Sequence, residues 1–237
     1  MAGRHSLRVV ISAGPTREPI DSVRFISNYS TGYIGAQLAA QALARGHRVT
    51  VISGPGLEPL PSGARVIPVE RAMGMERALR AAVKRADVVV MAAAVADFAP
   101  ARAATAKLPR RGQLTLRLRA TPDIIGRLPR RKAQLVVGFA VEDQPVLPRA
   151  KRKLRAKRLD LLVAQRLDRT GAPFGRRTMQ AWLLAGDRAR TGTIAVTALG
   201  RRSKPAVARV LLDKIEALWY GQTGQRTRRN GRGARGL

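Results

Sequence analysis

The sequence LRVVISAG at residues 7–14 and the sequence DVVVMAAA at residues 87–94 decide the fold of this chain. Both are short apolar runs rich in Val and Ala, which is typical of strands buried on both faces of a parallel sheet. Similar runs occupy residues 48–54, 64–69, 135–140 and 159–164, and stretches with helical spacing separate them at residues 34–44, 72–86 and 146–158. This alternation predicts a Rossmann-like α/β fold with a doubly wound, mostly parallel sheet.

The later part of the chain departs from this alternation. Residues 115–120 read TLRLRA, and their strict alternation predicts a strand with one face exposed or covered by a partner. Residues 178–185 and 193–199 predict a late β-hairpin, and residues 205–218 a final helix. From residue 221 the chain is rich in Arg and Gly and has no acid, which predicts a disordered tail. We therefore expect one domain over residues 1–220 and a basic tail over residues 221–237.

Composition excludes several kinds of site. The chain has no Cys and two His, which excludes disulfides, a Cys nucleophile and metal centres built from thiolates or several imidazoles. No apolar run approaches the roughly 18 residues of a transmembrane helix, and the amino terminus has no signal-peptide core. We therefore expect a cytoplasmic protein with no membrane partner. The formal net charge of +30 attracts polyanions of every kind, so a nucleic-acid-binding protein is one hypothesis.

Hydroxyl, amide and glycine residues follow the first strand, where an open α/β sheet binds its ligands. Residues 27–35 read SNYSTGYIG and lead into the first helix. Bare N–H groups and the positive end of the helix dipole suit a phosphate there, but Ser and Thr are equally typical of an ordinary helix cap. The candidate phosphate- and substrate-binding residues of this region are Gly14, Thr16, Arg17, Ser30, Thr31 and Gly32.

Three lysines stand out because the chain has 37 Arg and only 8 Lys. Lys107 lies ten residues after Asp97, which follows the central strand and can bind a ribose, a base or a metal. Lys153 and Lys157 share one helix face at i, i+4 spacing, so an anion such as a triphosphate would relieve their repulsion. The alternatives are solvated surface charges for the lysines and a helix cap for Asp97.

Two common nucleotide-binding motifs are missing from the expected places. No Gly-x-Gly-x-x-Gly fingerprint follows the first strand, and the second strand ends in SGPG at residues 53–56 rather than in a ribose-binding acid. The chain also has no P-loop. These absences disfavour a generic nicotinamide-dependent reductase.

The signature SAGPTREPID at residues 12–21, followed by RFISNYSTG at residues 24–32, resembles the opening of the phosphopantothenoylcysteine synthetases. The resemblance covers residues 7–217 and continues through AAAVAD (92–97), Lys107, TPDII (121–125), VGFA (137–140), Lys153 and Lys157. It implies a ligase of coenzyme A biosynthesis that joins 4'-phosphopantothenate to L-cysteine. A nucleoside triphosphate, CTP in most bacteria and ATP in others, activates the carboxylate as an acyl nucleotidylate, and the cysteine amine then displaces the nucleotide.

The resemblance also implies a role for each matched residue. Asn28 would polarise the activated carbonyl, and Lys107 would take part in catalysis. The nucleotide would contact Ala93, Asp97, Lys107, Pro122, Asp123, Ile124, Ile125, Phe139, Lys153 and Lys157, the lysines lying on its phosphates. Magnesium would accompany the nucleotide, and we expect CTP rather than ATP. The sequence does not identify which residues would hold this metal.

A homodimer is implied as well, with residues 115–120 in a dimerisation flap over the partner's site. The flavin-dependent decarboxylase half of bifunctional relatives has no counterpart in the sequence, so we expect ligation alone. Tyr33, Pro109 and Gln165 depart from the family's usual residues. Two other hypotheses are an inactive relative that serves as a binding scaffold and a basic nucleic-acid-binding protein, and the tail could contact nucleic acid in any case.

Overall fold

An eight-stranded sheet forms the centre of the protein in this computed structural model, which describes residues 5–110, 112–167, 174–186 and 192–232, with side chains only up to residue 221. The described strands are β1 (Arg8–Ala13), β2 (Glu18–Pro19), β3 (Phe25–Ile26), β4 (Arg48–Ser53), β5 (Arg65–Pro68), β6 (Val88–Met91), β7 (Phe98–Pro100), β8 (Leu118–Ala120), β9 (Leu135–Glu142), β10 (Leu161–Arg166), β11 (Met179–Gly186) and β12 (Ile194–Arg202). The described helices are α1 (Tyr33–Ala44), α2 (Ala72–Ala82), α3 (Ile124–Arg127), α4 (Val146–Ala156) and α5 (Lys204–Arg232), and a 3₁₀ turn at Val83–Arg85 follows α2.

The main sheet has the strand order β12-β11-β10-β9-β6-β1-β4-β5. The six strands from β10 to β5 along this order are parallel to one another. At the edge, β11 pairs antiparallel with β10, and β12 pairs antiparallel with β11. The predicted doubly wound, mostly parallel fold and the late hairpin are therefore confirmed, while residues 187–191 of the hairpin's turn lie outside the described part of the chain.

Alternate residues of the central strands face opposite layers of helices. Ile11 and Val90 pack in a cluster with residues of α1 and α5, whereas Val10 and Val89 pack in a second cluster with residues of α2. A third cluster joins α4 to β9, β10 and β11. Because each central strand is covered on both faces, its sequence is an unbroken apolar run.

Strand β6 is shorter than the apolar run that predicts it. The strand ends at Met91, because Ala94 pairs with the loop after β1 instead of continuing the sheet. The N–H of Ala94 donates to the Gly14 carbonyl at 3.0 Å, and the N–H of Thr16 donates to the Ala94 carbonyl at 3.2 Å. These bonds fasten the loops that leave the carboxyl ends of β1 and β6 to each other.

The alternating segment at residues 115–120 forms a strand only over Leu118–Ala120, and this strand pairs antiparallel with β7 outside the main sheet. At the other end, α5 continues through residues predicted to be disordered, as far as Arg232, because no proline interrupts its hydrogen bonding there. Residues 233–237 lie outside the described part. Within the described residues, no helix combines the length and apolar character needed to cross a membrane.

Candidate active site

A cleft of about 770 Å³, called the switch-point cleft below, opens at the carboxyl ends of the central strands. In the strand order, β4 and β5 lie to one side of β1, whereas β6 and β9 lie to the other. The strand order therefore reverses between β1 and β6. Open α/β sheets bind ligands in the crevice at such a point, and here the loops after both strands line the cleft.

Glycines let two loops approach each other closely at this cleft. Gly14 has a φ of +76°, and a side chain there would come within 2.9 Å of the Gly54 carbonyl oxygen. Gly32 has a φ of +85° and packs against the backbone of Gly14 at the start of α1. Only glycine adopts such backbone angles without strain. Ser30 and Thr31 precede this turn, and both line the cleft at the amino end of α1.

Asn28 lies where the loops after β1 and β6 meet. Its side-chain nitrogen donates to the Ala94 carbonyl at 2.7 Å, and the residue lines the cleft. The N–H of the neighbouring Ala93 donates to the Ser12 hydroxyl at 3.2 Å, so that N–H is bonded within the protein. The Asn28 amide is thus fixed in orientation, and a fixed dipole of this kind can stabilise a reacting carbonyl group.

Lysines of α4 and two aspartates form another wall. Lys153 lies within α4, and Lys157 follows its last turn. The Lys157 ammonium donates to the Asp123 carboxylate, so a carboxylate of the protein itself stands next to this cation. Burial alone would raise the pKa of Asp123, but the bonds from Lys157 and from a backbone N–H of α3 lower it overall. Burial lowers the pKa of Lys153, while the charges of Glu142 and Asp97 oppose that shift.

Thirteen of the predicted site residues line this single cleft, although they come from separate parts of the chain. Chain proximity does not explain the convergence, because the segments follow different strands. The thirteen are Asn28, Ser30, Thr31, Gly32, Ala93, Asp97, Pro122, Asp123, Ile124, Ile125, Phe139, Lys153 and Lys157.

Four predicted residues lie outside the lining of the cleft. Gly14 lies outside the cleft lining, where its backbone packs against Gly32. Thr16 is completely buried, and its hydroxyl accepts from a backbone N–H after β6 at 3.0 Å, so this residue braces the two loops. The Arg17 guanidinium lies over the ring of Phe25, 4.6 Å from its centroid. Lys107 is exposed on the loop after β7.

A buried carboxylate holds the loop that carries Lys107. The side chain of Asp21 is fully buried and accepts from the Arg24 guanidinium at 2.5 and 3.0 Å and from the Leu108 N–H at 3.1 Å. Arg24 also donates to the Leu108 carbonyl at 3.0 Å. The Arg24 guanidinium is the main cause that holds the pKa of Asp21 well below its usual range. The backbone next to Lys107 is therefore anchored by an ion pair.

The lining residues that were not predicted as site residues include Phe174, Met179 and Lys204. Phe174 stacks on Tyr29 with the ring centroids 6.4 Å apart. Lys204 begins α5 and is only 4% exposed. The signal that points to Lys204 is the one that selected Lys107, namely the rarity of Lys in an Arg-rich chain.

The carboxylates of the cleft lining are Asp97 and Asp123. Among the residues that the structure describes, no group of three Asp, Glu or His side chains comes together to hold a metal ion. One or two carboxylates suit a Mg²⁺ ion that is held mainly by phosphate oxygens and water. A magnesium ion that arrives with a polyphosphate therefore fits the cleft better than a resident metal does.

A second cleft of about 1220 Å³, called the basic groove below, lies between α2 and the strands β1, β4 and β5. Its one acidic lining residue is Glu70. Its cations are all exposed, and they are Arg8, Arg48, Arg65, Arg71, Arg77, Lys84 and Arg85.

The fold and the switch-point cleft define a Rossmann-like α/β protein with its ligand crevice between β1 and β6. Residues 4–218 match the family described as DNA/pantothenate metabolism flavoprotein C-terminal domain, and the chain belongs to this family. The crystal structure of the C-terminal domain of the coenzyme A biosynthesis bifunctional protein CoaBC superposes with a TM-score of 0.73 at 32% identity, covering 92% of this chain and all of that one.

Two relatives of known length are longer than this chain. The coenzyme A biosynthesis bifunctional protein CoaBC of Bacillus subtilis (strain 168) is 45% identical over 178 residues, which is 74% of this chain and 43% of that protein. A cysteine/cysteine sulfinic acid decarboxylase from an unknown prokaryotic organism is 45% identical over 175 residues, which is 72% of this chain and 49% of that protein. The chain thus spans less than half the length of either relative.

Proposed function

We propose that the chain is a phosphopantothenate–cysteine ligase of coenzyme A biosynthesis. The observation that carries the proposal is the convergence of thirteen motif residues in one cleft at the switch point. The family membership and the similarity to the C-terminal domain of CoaBC support the same reaction. We propose the cytoplasm as its compartment, because the reaction consumes a nucleoside triphosphate.

The reaction has two steps, and the cleft offers groups for each. A carboxylate oxygen of 4'-phosphopantothenate attacks the α-phosphorus of the nucleotide, the bond to the β-phosphate oxygen breaks, and pyrophosphate leaves. The cysteine amine then attacks the acyl carbon, the nucleoside monophosphate leaves with the former carboxylate oxygen, and the amine releases a proton to solvent. The Asn28 amide, fixed on the Ala94 carbonyl, would orient and polarise the acyl group between the two steps.

We assign the nucleotide to the wall that runs from Asp97 past Phe139 to α4. Asp97 and the backbone of residues 122–125 would hold the ribose and base, and Lys153 and Lys157 would neutralise phosphate charge. Magnesium would accompany the triphosphate and supply Lewis-acid neutralisation of its oxygens. We propose CTP as the preferred nucleotide and ATP as the poorer one.

We further propose that two copies form a homodimer through the surface around β7 and β8. Phe98, Leu114 and Leu118 expose 54%, 55% and 48% of their surface in this part of the chain, and exposed apolar surface is what an interaction site would cover. Lys107 lies on the chain between these strands, outside the cleft of its own copy. A partner seated on this surface would bring Lys107 towards the partner's cleft.

The proposal is tested by pyrophosphate release from purified protein with 4'-phosphopantothenate, L-cysteine and magnesium, in parallel with CTP and with ATP. We expect release that requires 4'-phosphopantothenate, a product mass of 4'-phosphopantothenoyl-L-cysteine that requires cysteine, and a faster rate with CTP. Carbon dioxide release from cysteine is measured alongside, because one relative has a decarboxylase name. Folded protein that releases no pyrophosphate with either nucleotide contradicts the proposal.

A further inference from the structure

Lys204 is a buried cation in the cleft to which the proposed reaction assigns no task. It is the first residue of α5, it is 4% exposed, and it lines the switch-point cleft. Its ammonium donates to the Gly175 carbonyl at 2.6 Å. Withdrawing an ammonium group from water is unfavourable. The groups that surround Lys204 must therefore compensate for its lost hydration.

The surroundings of Lys204 point to the amino end of α1. Gly175 lies between the two, since a side-chain carbon on Gly175 would be 3.8 Å from the Thr31 methyl group. The Thr31 carbonyl accepts from the N–H groups of Leu57 and Glu58 at 3.0 and 3.3 Å, which holds this corner together. α1 has twelve residues, and the positive end of its dipole lies at this corner, where the N–H of Tyr33 donates to the Thr31 hydroxyl at 3.4 Å. A buried ammonium therefore lies near the turn that is the candidate phosphate-binding site.

The identity of the cation is the second argument. The cations that line the switch-point cleft are Lys153, Lys157 and Lys204, and no Arg is among the described residues of its lining. The chain as a whole has 37 Arg and 8 Lys, and the basic groove has six Arg and one Lys. A cation without a specific role would be expected to be Arg, because Arg is the commoner basic residue of this chain. A compact ammonium can follow a phosphoryl group that moves during a reaction, whereas a planar guanidinium is held to one geometry.

We propose that Lys204 binds the terminal phosphates of the nucleotide, and the pyrophosphate released from them, at the amino end of α1. Naming the nucleotide rests on the proposed function, but the affinity for a pyrophosphoryl group does not require ligase activity. Lys204 is then a binding residue on the wall formed by α1 and α5, and it complements Lys153 and Lys157 on the wall formed by α4.

The charge of Lys204 gives the site a pH dependence. Burial lowers the pKa of Lys204 to about 8, and the nearby Glu58 carboxylate opposes that shift. Glu58 is paired with Arg176 at 3.2 Å, and the Arg176 guanidinium lies over the Tyr33 ring, 5.6 Å from its centroid. Lys204 is a cation below this pKa and neutral above it. Affinity for pyrophosphate should therefore fall as the pH rises through about 8.

The experiment is isothermal titration of inorganic pyrophosphate into the wild-type chain and into Lys204→Met, Lys204→Arg and Lys214→Met. Lys214 is exposed on the same helix, so its variant removes an equal charge away from the cleft. We expect Lys204→Met to weaken binding about tenfold or more and Lys214→Met to leave it unchanged. Between pH 7 and pH 9.5, the wild-type chain should lose affinity relative to Lys204→Arg. The ratio of the two affinities does not depend on the protonation of pyrophosphate or of surface groups, because both are the same for the two proteins.

Each outcome decides the proposal. Equal binding by Lys204→Met and the wild type overturns it, as does a wild-type chain that binds no pyrophosphate. If thermal unfolding shows that Lys204→Met is not folded, the pH profiles of the wild type and Lys204→Arg decide, and parallel profiles overturn it. A wild-type chain that binds pyrophosphate through Lys204 but forms no product contradicts only the ligase. Product formation with no effect of Lys204→Met contradicts only this inference.

Discussion

The switch-point cleft and the basic groove differ in the type of their basic residues, in the exposure of these residues and in their partners. The groove is larger and carries six Arg and one Lys, all exposed, in about the proportion that the whole chain has. The cleft carries three Lys and, among its described lining residues, no Arg. The Lys157 ammonium is paired with Asp123, and Lys204 is buried against a backbone carbonyl.

This difference distinguishes basic residues that the composition of the chain explains from basic residues that it does not explain. An Arg-rich chain acquires exposed Arg wherever its surface is polar, so a basic groove follows from composition alone. Three lysines at a sheet switch point, with Lys204 buried and Lys153 and Lys157 partly buried, do not follow from it, because burial disfavours their charge and Arg is the commoner cation here. Abundant charge therefore indicates little about function, whereas the kind of cation and its burial indicate a phosphate-binding site.

The largest effect is expected from Asn28→Asp in the cleft. The change removes both N–H groups of the amide, the one that donates to the Ala94 carbonyl and the one that would polarise the acyl group, and it adds a negative charge among anionic substrates. Turnover should fall about 10²- to 10³-fold, the usual effect of losing one donor to a reacting carbonyl. The measurement is product formation under saturating substrates.

The matched control for Asn28 is Gln134→Glu, which makes the same amide-to-carboxylate change. Gln134 is buried just before β9, and its amide donates to the Val83 carbonyl at 2.8 Å, away from the cleft. This variant should unfold at a lower temperature but keep its turnover. Equal losses of turnover in the two variants would mean that Asn28 acts only through the fold.

A smaller effect is expected from Lys153→Met, with the exposed neighbour Arg152→Met as its control. The KM for the nucleotide should rise about tenfold in the first variant and stay unchanged in the second, because only Lys153 lines the cleft. Burial lowers the pKa of Lys153, so wild-type nucleotide affinity should decline with rising pH before an exposed lysine would titrate. A KM that is the same in both variants would remove Lys153 from nucleotide binding.

The next effect concerns stability, through Asp21→Asn. The pKa of Asp21 is lowered in the folded protein, so its ion pair stabilises the fold above the unfolded carboxyl pKa of about 3.9 and loses that contribution as the pH falls. The wild type should therefore have the higher Tm at pH 7, and the difference from Asp21→Asn should shrink towards pH 3. Hydrogen exchange in residues 101–110 should be faster in the variant.

Asp87→Asn is the control for this prediction, because Asp87 also accepts from an arginine and a backbone N–H, but at the amino end of β1. It should leave hydrogen exchange in residues 101–110 unchanged. If Asp21→Asn also leaves that exchange unchanged, then Asp21 does not anchor the Lys107 loop.

The smallest effect on the reaction is expected from Arg77→Met/Arg85→Met in the basic groove. Ligase turnover should change less than about twofold, since neither residue lines the cleft. Weak binding of single-stranded RNA should decrease, and the salt slope of that binding should fall by about 1 to 2. Tight RNA binding at physiological salt that this variant abolishes would instead favour the groove as a functional site.

The sequence predicted the parts that follow from local pattern. Unbroken apolar runs predicted the central strands, and the position of Asn28 after β1 predicted that it lies at the switch point. Features that depend on distant partners were not accessible. β6 ends early because the N–H of Ala94 bonds to the Gly14 carbonyl, and only residues 118–120 of the predicted strand 115–120 form β8, because only they pair with β7.

Burial of polar residues was the hardest feature to predict. A lysine before a helical run has the same sequence pattern whether it faces solvent or, like Lys204, a cleft. Thr16 lies in a signature rich in predicted site residues, yet its hydroxyl is bonded to the backbone and braces the loops. Asp21 and Leu108 are 87 residues apart, so no local pattern predicts their hydrogen bond.

The most direct test of the proposed site is pyrophosphate release by two variants that each lose two positive charges. Lys153→Met/Lys157→Met alters the switch-point cleft, and Arg77→Met/Arg85→Met alters the basic groove. We expect the groove variant to release pyrophosphate like the wild type, in a reaction that requires 4'-phosphopantothenate, and the cleft variant to be at least about tenfold slower at limiting nucleotide. Equal rates in the two variants, or loss of release in the groove variant alone, would contradict the assignment of the reaction to this cleft.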